Sequence, residues 1–235
     1  MKTGWKRGYR VALITVGALI LAGGAVAVAG AAHGDKGKTK NAAAKKHVAK
    51  KLVRAGVHAD VSLIRADGTT DAFAVDRGTV TASSTSSLTL LRPDGKSITI
   101  GLTGSTVARG TVSVGKRVLV FSRSGIAFRV RGPGAAMAGA IASAVAPQKS
   151  PITHLQVSFV RGDGSTHTAS LDRGQVTEAS STSLTIKRAD GQSVTFTLGA
   201  NVRINGHLAA GGKAVVISRD GAVVRVLARG ATATG

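Results

Sequence analysis

Slid against itself by 96 residues, the chain lays residues 58–132 onto 154–228 without a gap, and 30 of the 75 paired positions are identical. A duplication of that length sets the domain boundaries before any other feature is read. VSLIRADG from Val61 matches VSFVRGDG from Val157, DRGTVT from Asp76 matches DRGQVT from Asp172, and SLTLLRPDG from Ser87 matches SLTIKRADG from Ser183. Whatever one copy folds into, the other must be able to form as well.

Within each copy the apolar period is two, the period of a strand with one buried face. Leu88 and Leu90 alternate with Thr89, as Leu184 and Ile186 do with Thr185; Ile98, Ile100 and Leu102 correspond to Val194, Phe196 and Leu198; Phe128 and Val130 flank Arg129, and Val224 and Val226 flank Arg225. Residues 118–121 and 214–217 are apolar on both faces, which predicts a strand covered on two sides. Asp-Gly pairs at 67–68, 94–95, 163–164, 190–191 and 220–221 suit the positive φ of tight hairpins. Six to eight short strands in about 75 residues fit a small closed barrel, which leaves no long exposed edge. Aromatics are only 3% of a chain that is 43% hydrophobic, so the cores must be aliphatic, as β cores commonly are.

The amino-terminal part is different in kind. Lys2, Lys6, Arg7 and Arg10 lead into residues 11–32, which carry no charge and are long enough to span a bilayer. Their second half, GGAVAVAGAA, is small-residue and also ends the way a signal peptide ends. A retained anchor and a cleaved signal both remain open, and export is expected in either case. Trp5 and Tyr9 flank the span on its amino side, where amphipathic rings favour the headgroup layer. Lys36, Lys38, Lys40, Lys45 and Lys46 beyond the span nearly balance the charge bias; the tighter cluster of Lys6, Arg7 and Arg10 places the amino terminus inside.

The formal charge is +21. Residues 1–54 hold 12 basic residues and one acid, and residues 55–235 hold 20 and 10. Lys36, Lys38, Lys40, Lys45, Lys46, Lys50, Lys51 and Arg54 form an acid-free stalk, read either as a polyanion contact for envelope polymer or lipid headgroups or as a solvated spacer. Residues 132–151, Gly- and Ala-rich and ended by Pro151, read as a connector in which a short helix could pack on a domain. The organisation is therefore 1–32 signal or anchor helix, 33–55 stalk, 56–132 first repeat, 133–151 linker, 152–230 second repeat and 231–235 tail.

The second part of each copy resembles a bacterial extracytoplasmic barrel repeat, domain of unknown function family 5666. Gly78-Thr79-Val80-Thr81, Leu88-Thr89-Leu90, Asp94-Gly95, Thr106-Val107-Ala108-Arg109-Gly110 and the strand from Gly115 through Val118 and Val120 carry the likeness. The second copy supplies Gly174, Val176, Thr177, Leu184, Asp190, Gly191, Gly206, Gly211 and Val216, with Asn201-Val202-Arg203 departing from the pattern. The resemblance covers about 55 residues of each copy and implies an OB-like barrel with no activity to transfer. The fold expected is all-β: two tandem small OB-like barrels of antiparallel strands after the amino-terminal helix.

Chemistry is sparse. Without cysteine there is no disulfide, thiolate site or lipoprotein anchor. The histidines at 33, 47, 58, 154, 167 and 207 make no close ligand pair, and only His58 and His154 correspond between copies. No G-x-S-x-G elbow and no glycine-rich phosphate loop appears. Asp76-Arg77-Gly78 and Asp172-Arg173-Gly174 read as an ion pair or turn cap. The repeats have no Trp or Tyr on which bases or sugars could stack, which argues against nucleic acid. The expectation is a non-enzymatic interaction or spacer module of the bacterial cell membrane with its repeats outside, or a secreted one after cleavage, using no cofactor and no metal; the alternative is a binder of polyanions such as anionic wall polymer, a lipid surface or nucleic acid, and an enzyme has least support.

Overall fold

A computed structural model describes residues 56–145 and 151–229. The expected span at 11–32, Trp5, Tyr9 and all eight stalk residues from Lys36 to Arg54 lie outside the described residues. Among the described residues no helix is long and apolar enough to cross a membrane.

The described chain is nearly all β. In the first copy β1 (Gly56–Ile64) and the first half of the long β2 (Thr70–Ser83) form a hairpin. The second half of β2 turns into a barrel with β3 (Ser87–Leu91), β4 (Ser97–Gly101), β6 (Arg117–Arg123) and β7 (Ile126–Arg131); the short β5 (Val107–Arg109) lies outside β7. Pairing runs β2-β3-β4-β7-β6 and back to β2, so the five strands close. Closure is not wholly antiparallel: β4 meets β7 in parallel at Gly101 and Ile126, and β5 also runs parallel to β7. Two hydrogen bonds hold that seam, Gly101 N–H to Gly125 O at 2.9 Å and Thr106 Oγ1 to Ala127 O at 2.7 Å.

The second copy repeats the order with β8 (Ile152–Val160), β9 (Thr166–Ala179), β10 (Ser183–Arg188), β11 (Ser193–Thr197), β12 (Arg203–Asn205), β13 (Lys213–Arg219) and β14 (Ala222–Arg229). Here β11 pairs with β10 alone, so the matching seam carries no ladder. Val202 stands where Thr106 supplies its hydroxyl, and Thr197 and Ala222 stand where Gly101 and Ile126 pair. The hairpin glycines sit at positive φ, among them Gly68 at 83° and Gly164 at 82°, as their Asp-Gly turns require.

Each barrel has its own aliphatic interior. Val80, Leu88, Leu90, Ile100, Val118, Val120, Ala127 and Val130 fill the first; Val176, Leu184, Ile186, Leu198, Ala214, Val216 and Val226 fill the second. Full burial of one such side chain stabilises by roughly 1.5–3 kcal/mol. The strand with two apolar faces is covered on both, because Val118 and Val120 point into the barrel while Leu119 and Phe121 belong to a separate outer cluster. One expectation needs correcting: Phe128 and Val130 do not share a face. A bulge between Phe121 and Ser122 in the β6–β7 ladder leaves Phe128 outside, against Phe73 and Phe121 at 6.0 and 5.9 Å.

The outer cluster joins the copies. The linker forms α1 (Met137–Val145), whose Met137, Ala140, Ile141 and Val145 pack on Ala59, Val61, Leu63, Phe73, Val75, Leu119 and Phe121, with Ile152, Leu155 and Val157 of β8 at its margin. Its alanines and Met137 favour helix. Gly56 lets it close on the sheet, since a Cβ there would stand 2.9 Å from Met137 Sδ. Beneath it β1 and β8 pair antiparallel, making one fourteen-stranded sheet from both copies. Asp60 faces Gln156, which is its own equivalent in the repeat. Ala59–Val157 and Val61–Leu155 follow symmetrically on either side, the self-complementary arrangement of an isologous dimer, here held in one chain.

Candidate functional site

The face of the β1–β8 pair opposite α1 is polar. Strand alternation puts Val57, Ala59, Val61 and Leu63 on the apolar side, so His58, Asp60 and Ser62 must share the other, with His154, Gln156 and Ser158 alongside. Into this face come Asp76 of β2 and Asp172 of β9, paired with His58 and His154 across their hairpins.

The result is one ion-pair set on each side of the junction. Asp76 Oδ1 accepts from His58 Nδ1 at 2.8 Å and from Arg92 at 2.9 Å; Arg92 also grips Asp94 through two nitrogens. His58 Nε2 reaches Asp60 Oδ2 at 3.0 Å. In the second copy Asp172 Oδ1 accepts from His154 Nδ1 at 2.7 Å and from Arg188 at 2.9 Å, and Arg188 holds Asp190 at 3.0 Å. Asp60 stands near the local two-fold, attracted by His58 and also by His154. Only one acid occupies that centre. With a carboxylate in place of Gln156, two negative charges would face each other on paired residues, a destabilising arrangement.

The charges reinforce one another. Hydrogen bonds to Asp60 and then Asp76, against some burial, lift His58 from 6.5 to about 9, so it is a cation at neutral pH. His58 in turn holds the Asp60 carboxyl below the usual carboxylate range. The Arg92 guanidinium does the same for Asp94. Burial works against ionisation of Asp172, but its bonds to His154 and Arg188 outweigh it and keep that carboxyl low too. Asp76 is 5% exposed and Arg92 8%; buried charges of this kind persist only when paired.

This arrangement fixes strand positions, and His58 is not placed to act as a base. A general base needs a free lone pair within reach of a substrate, yet both His58 nitrogens bond carboxylates and the ring is already protonated. Each Arg–Asp–His set ties the β3–β4 or β10–β11 turn to the bridging hairpin of its copy. In the first Asp-Arg-Gly triplet Asp76 pairs with His58 and Arg92. The glycine serves close packing, as a Cβ on Gly78 would stand 2.8 Å from Leu91 O and one on Gly174 2.5 Å from Lys187 O.

A second corner shows the copies diverging in step. Asp71 accepts from Arg123 at 2.8 Å through both oxygens and from Arg65 at 2.9 Å, and these bonds, Arg123 first, keep its carboxyl low. At the equivalent place His167 has replaced the acid, and Asp220, equivalent to Ser124, supplies it at 2.8 Å. The acid and its partner have exchanged places between the two strands. His207 lies exposed in the β12–β13 loop. Among the described residues no group of three or more His, Asp or Glu could hold a metal ion.

Sequence reasoning found His58, His154 and the Asp-Arg-Gly triplets as recurring features but did not join them. Their separation in sequence by 18 residues hides a contact that only the hairpin register makes. No family model, no curated protein and no solved structure matches this chain.

Proposed function

We propose that this is a non-enzymatic envelope protein, exported by its amino-terminal apolar segment, in which two OB-like barrels act as an interaction or spacer module outside the membrane. The observation that carries the non-enzymatic part is the junction itself. His58, Asp76, Arg92 and Asp94, and their equivalents His154, Asp172, Arg188 and Asp190, are spent on one another in two matching ion-pair sets. The strand order β2-β3-β4-β7-β6, with parallel contact between β4 and β7, supports the OB-like reading and is compatible with kinship to domain of unknown function family 5666. Residues 1–32 support export, as an uncharged stretch of 22 residues behind four basic ones. A reporter fused after Gly235 should be active only outside the cytoplasm and fractionate with membranes. Activity confined to the cytoplasm would overturn the reading, and a soluble product beginning near residue 30 would replace an anchor with a cleaved signal.

A second reading, binding to an anionic surface, is favoured by the segregation of charge. From Gly95 to Gly162 there is no Asp or Glu. The described acids are engaged in turns or ion pairs almost throughout, whereas Arg109, Lys116, Arg117 and Arg129 lie in that acid-free stretch on the outside of the first barrel.

A further inference from the structure

The loop between β5 and β6 distinguishes the first barrel from the second. Gly110-Thr111-Val112-Ser113-Val114-Gly115-Lys116 turns at Gly115, at φ 80°, and is pinned to the barrel by Gly115 N–H to Val80 O at 2.8 Å and Val80 N–H to Lys116 O at 2.9 Å. Its tip residue Val114 is 62% exposed, the most exposed large aliphatic side chain described. Exposed Arg109, Lys116 and Arg117 lie at its two ends, and Val107, 49% exposed, is in register with Arg129 beside them. In the second copy the equivalents of Arg109, Val114, Lys116 and Arg117 are Asn205, Ala210, Gly212 and Lys213. With Arg203 standing for Val107, three cations and two exposed valines have become two cations and an alanine. Arg117 also crowds Arg77, whose guanidinium is pushed below its ordinary value by burial first and by Arg117 second.

We propose that the Val114 loop of the first barrel docks into the headgroup layer of an anionic lipid bilayer. Cations near such a surface each contribute about fivefold to binding, or about 1 kcal/mol. A soluble polyanion would use those cations too, but gains nothing from an aliphatic side chain held out at the tip of the loop they flank; a bilayer buries it. Nucleic acid is disfavoured by the same surface, because the five Phe are packed into cores or against His167 and leave no stacking platform. The inference deepens the envelope reading and rests on it for biological sense, though the docking itself is tested apart from export.

The absence of cysteine allows one label per molecule. The full-length chain carrying Ser113→Cys with a polarity-sensitive fluorophore is mixed with phosphatidylcholine vesicles with and without 30 mol% phosphatidylglycerol, beside the same label on Ala209→Cys in the second copy. Docking predicts a blue shift at position 113 on anionic vesicles only, reversed by salt and absent at position 209. In the variant R109Q/K116Q/R117Q the docking equilibrium read by the label should fall about a hundredfold, from three charges at about fivefold each. Val114→Ser should lower it while leaving the cooperative unfolding transition in place. An equal shift on neutral vesicles, equal shifts at both positions, or a response to soluble polyphosphate with none to vesicles would overturn the proposal. Because vesicles are added to purified protein, such failure is distinct from failure of the Gly235 reporter, which tests export alone.

Discussion

Replacing Asp60 by Asn should change how stability depends on pH, and the sign follows from His58. Its folded pKa of about 9 lies above the unfolded value of 6.5. The proton is therefore bound more tightly in the folded state, and the stabilisation is complete below pH 6.5 and lost as pH rises through about 9. A shift of that size corresponds to roughly 3 kcal/mol at most. The His58 side chain is 22% exposed and Asp60 51%, so solvent screening reduces the expected contribution to about 1–2 kcal/mol. Asp60 supplies the largest share of the shift, ahead of Asp76. Urea unfolding followed by circular dichroism at intervals from pH 6 to 10 should show wild-type stability falling by up to about 1 kcal/mol per pH unit between 7 and 9. The slope should be shallower in Asp60→Asn, and the two curves should converge above pH 9. Histidine NMR titration of the same pair should move the His58 midpoint downward in the variant. Equal slopes, or a wild-type His58 titrating near 6.5, would refute the ion-pair set as drawn.

Gly174→Ala should lower the urea midpoint by the equivalent of about 2 kcal/mol or more, since its Cβ would meet a backbone oxygen at 2.5 Å; Gly162→Ala, with nothing within 4 Å, should be neutral to within about 0.5 kcal/mol. Val120→Asp and Val216→Asp, both at positions 0% exposed, should each unfold the barrel that contains them at a cost of several kcal/mol, whereas Val61→Asp should loosen both hairpins through the shared junction; residue-resolved hydrogen exchange separates these outcomes. Thr106→Val should speed exchange of the Gly101 amide about fivefold by removing one seam hydrogen bond of about 1 kcal/mol, and no change there would deny that the hydroxyl latches the barrel.

The sequence by itself determined what is local or periodic. Alternation at 88–90, 98–102 and 184–186 placed strands because the strand period is two, and the Asp-Gly pairs placed turns because few residues tolerate positive φ. The 96-residue duplication required two like units. Tertiary structure decided how those units meet, for pairing between β1 and β8 is a contact of two edges nearly a hundred residues apart, and no local pattern specifies it. The same holds for the clamp: His58, Asp76 and Arg92 are ordinary polar residues along the chain and become an ionic set only when hairpin register puts them on one face. The Phe128 bulge was hidden for the related reason that an extra residue in a ladder shifts the period without changing composition. Thr106 against Val202 is plain along the sequence, but that the Thr106 hydroxyl reaches Ala127 O depends on where that carbonyl lies in the folded barrel.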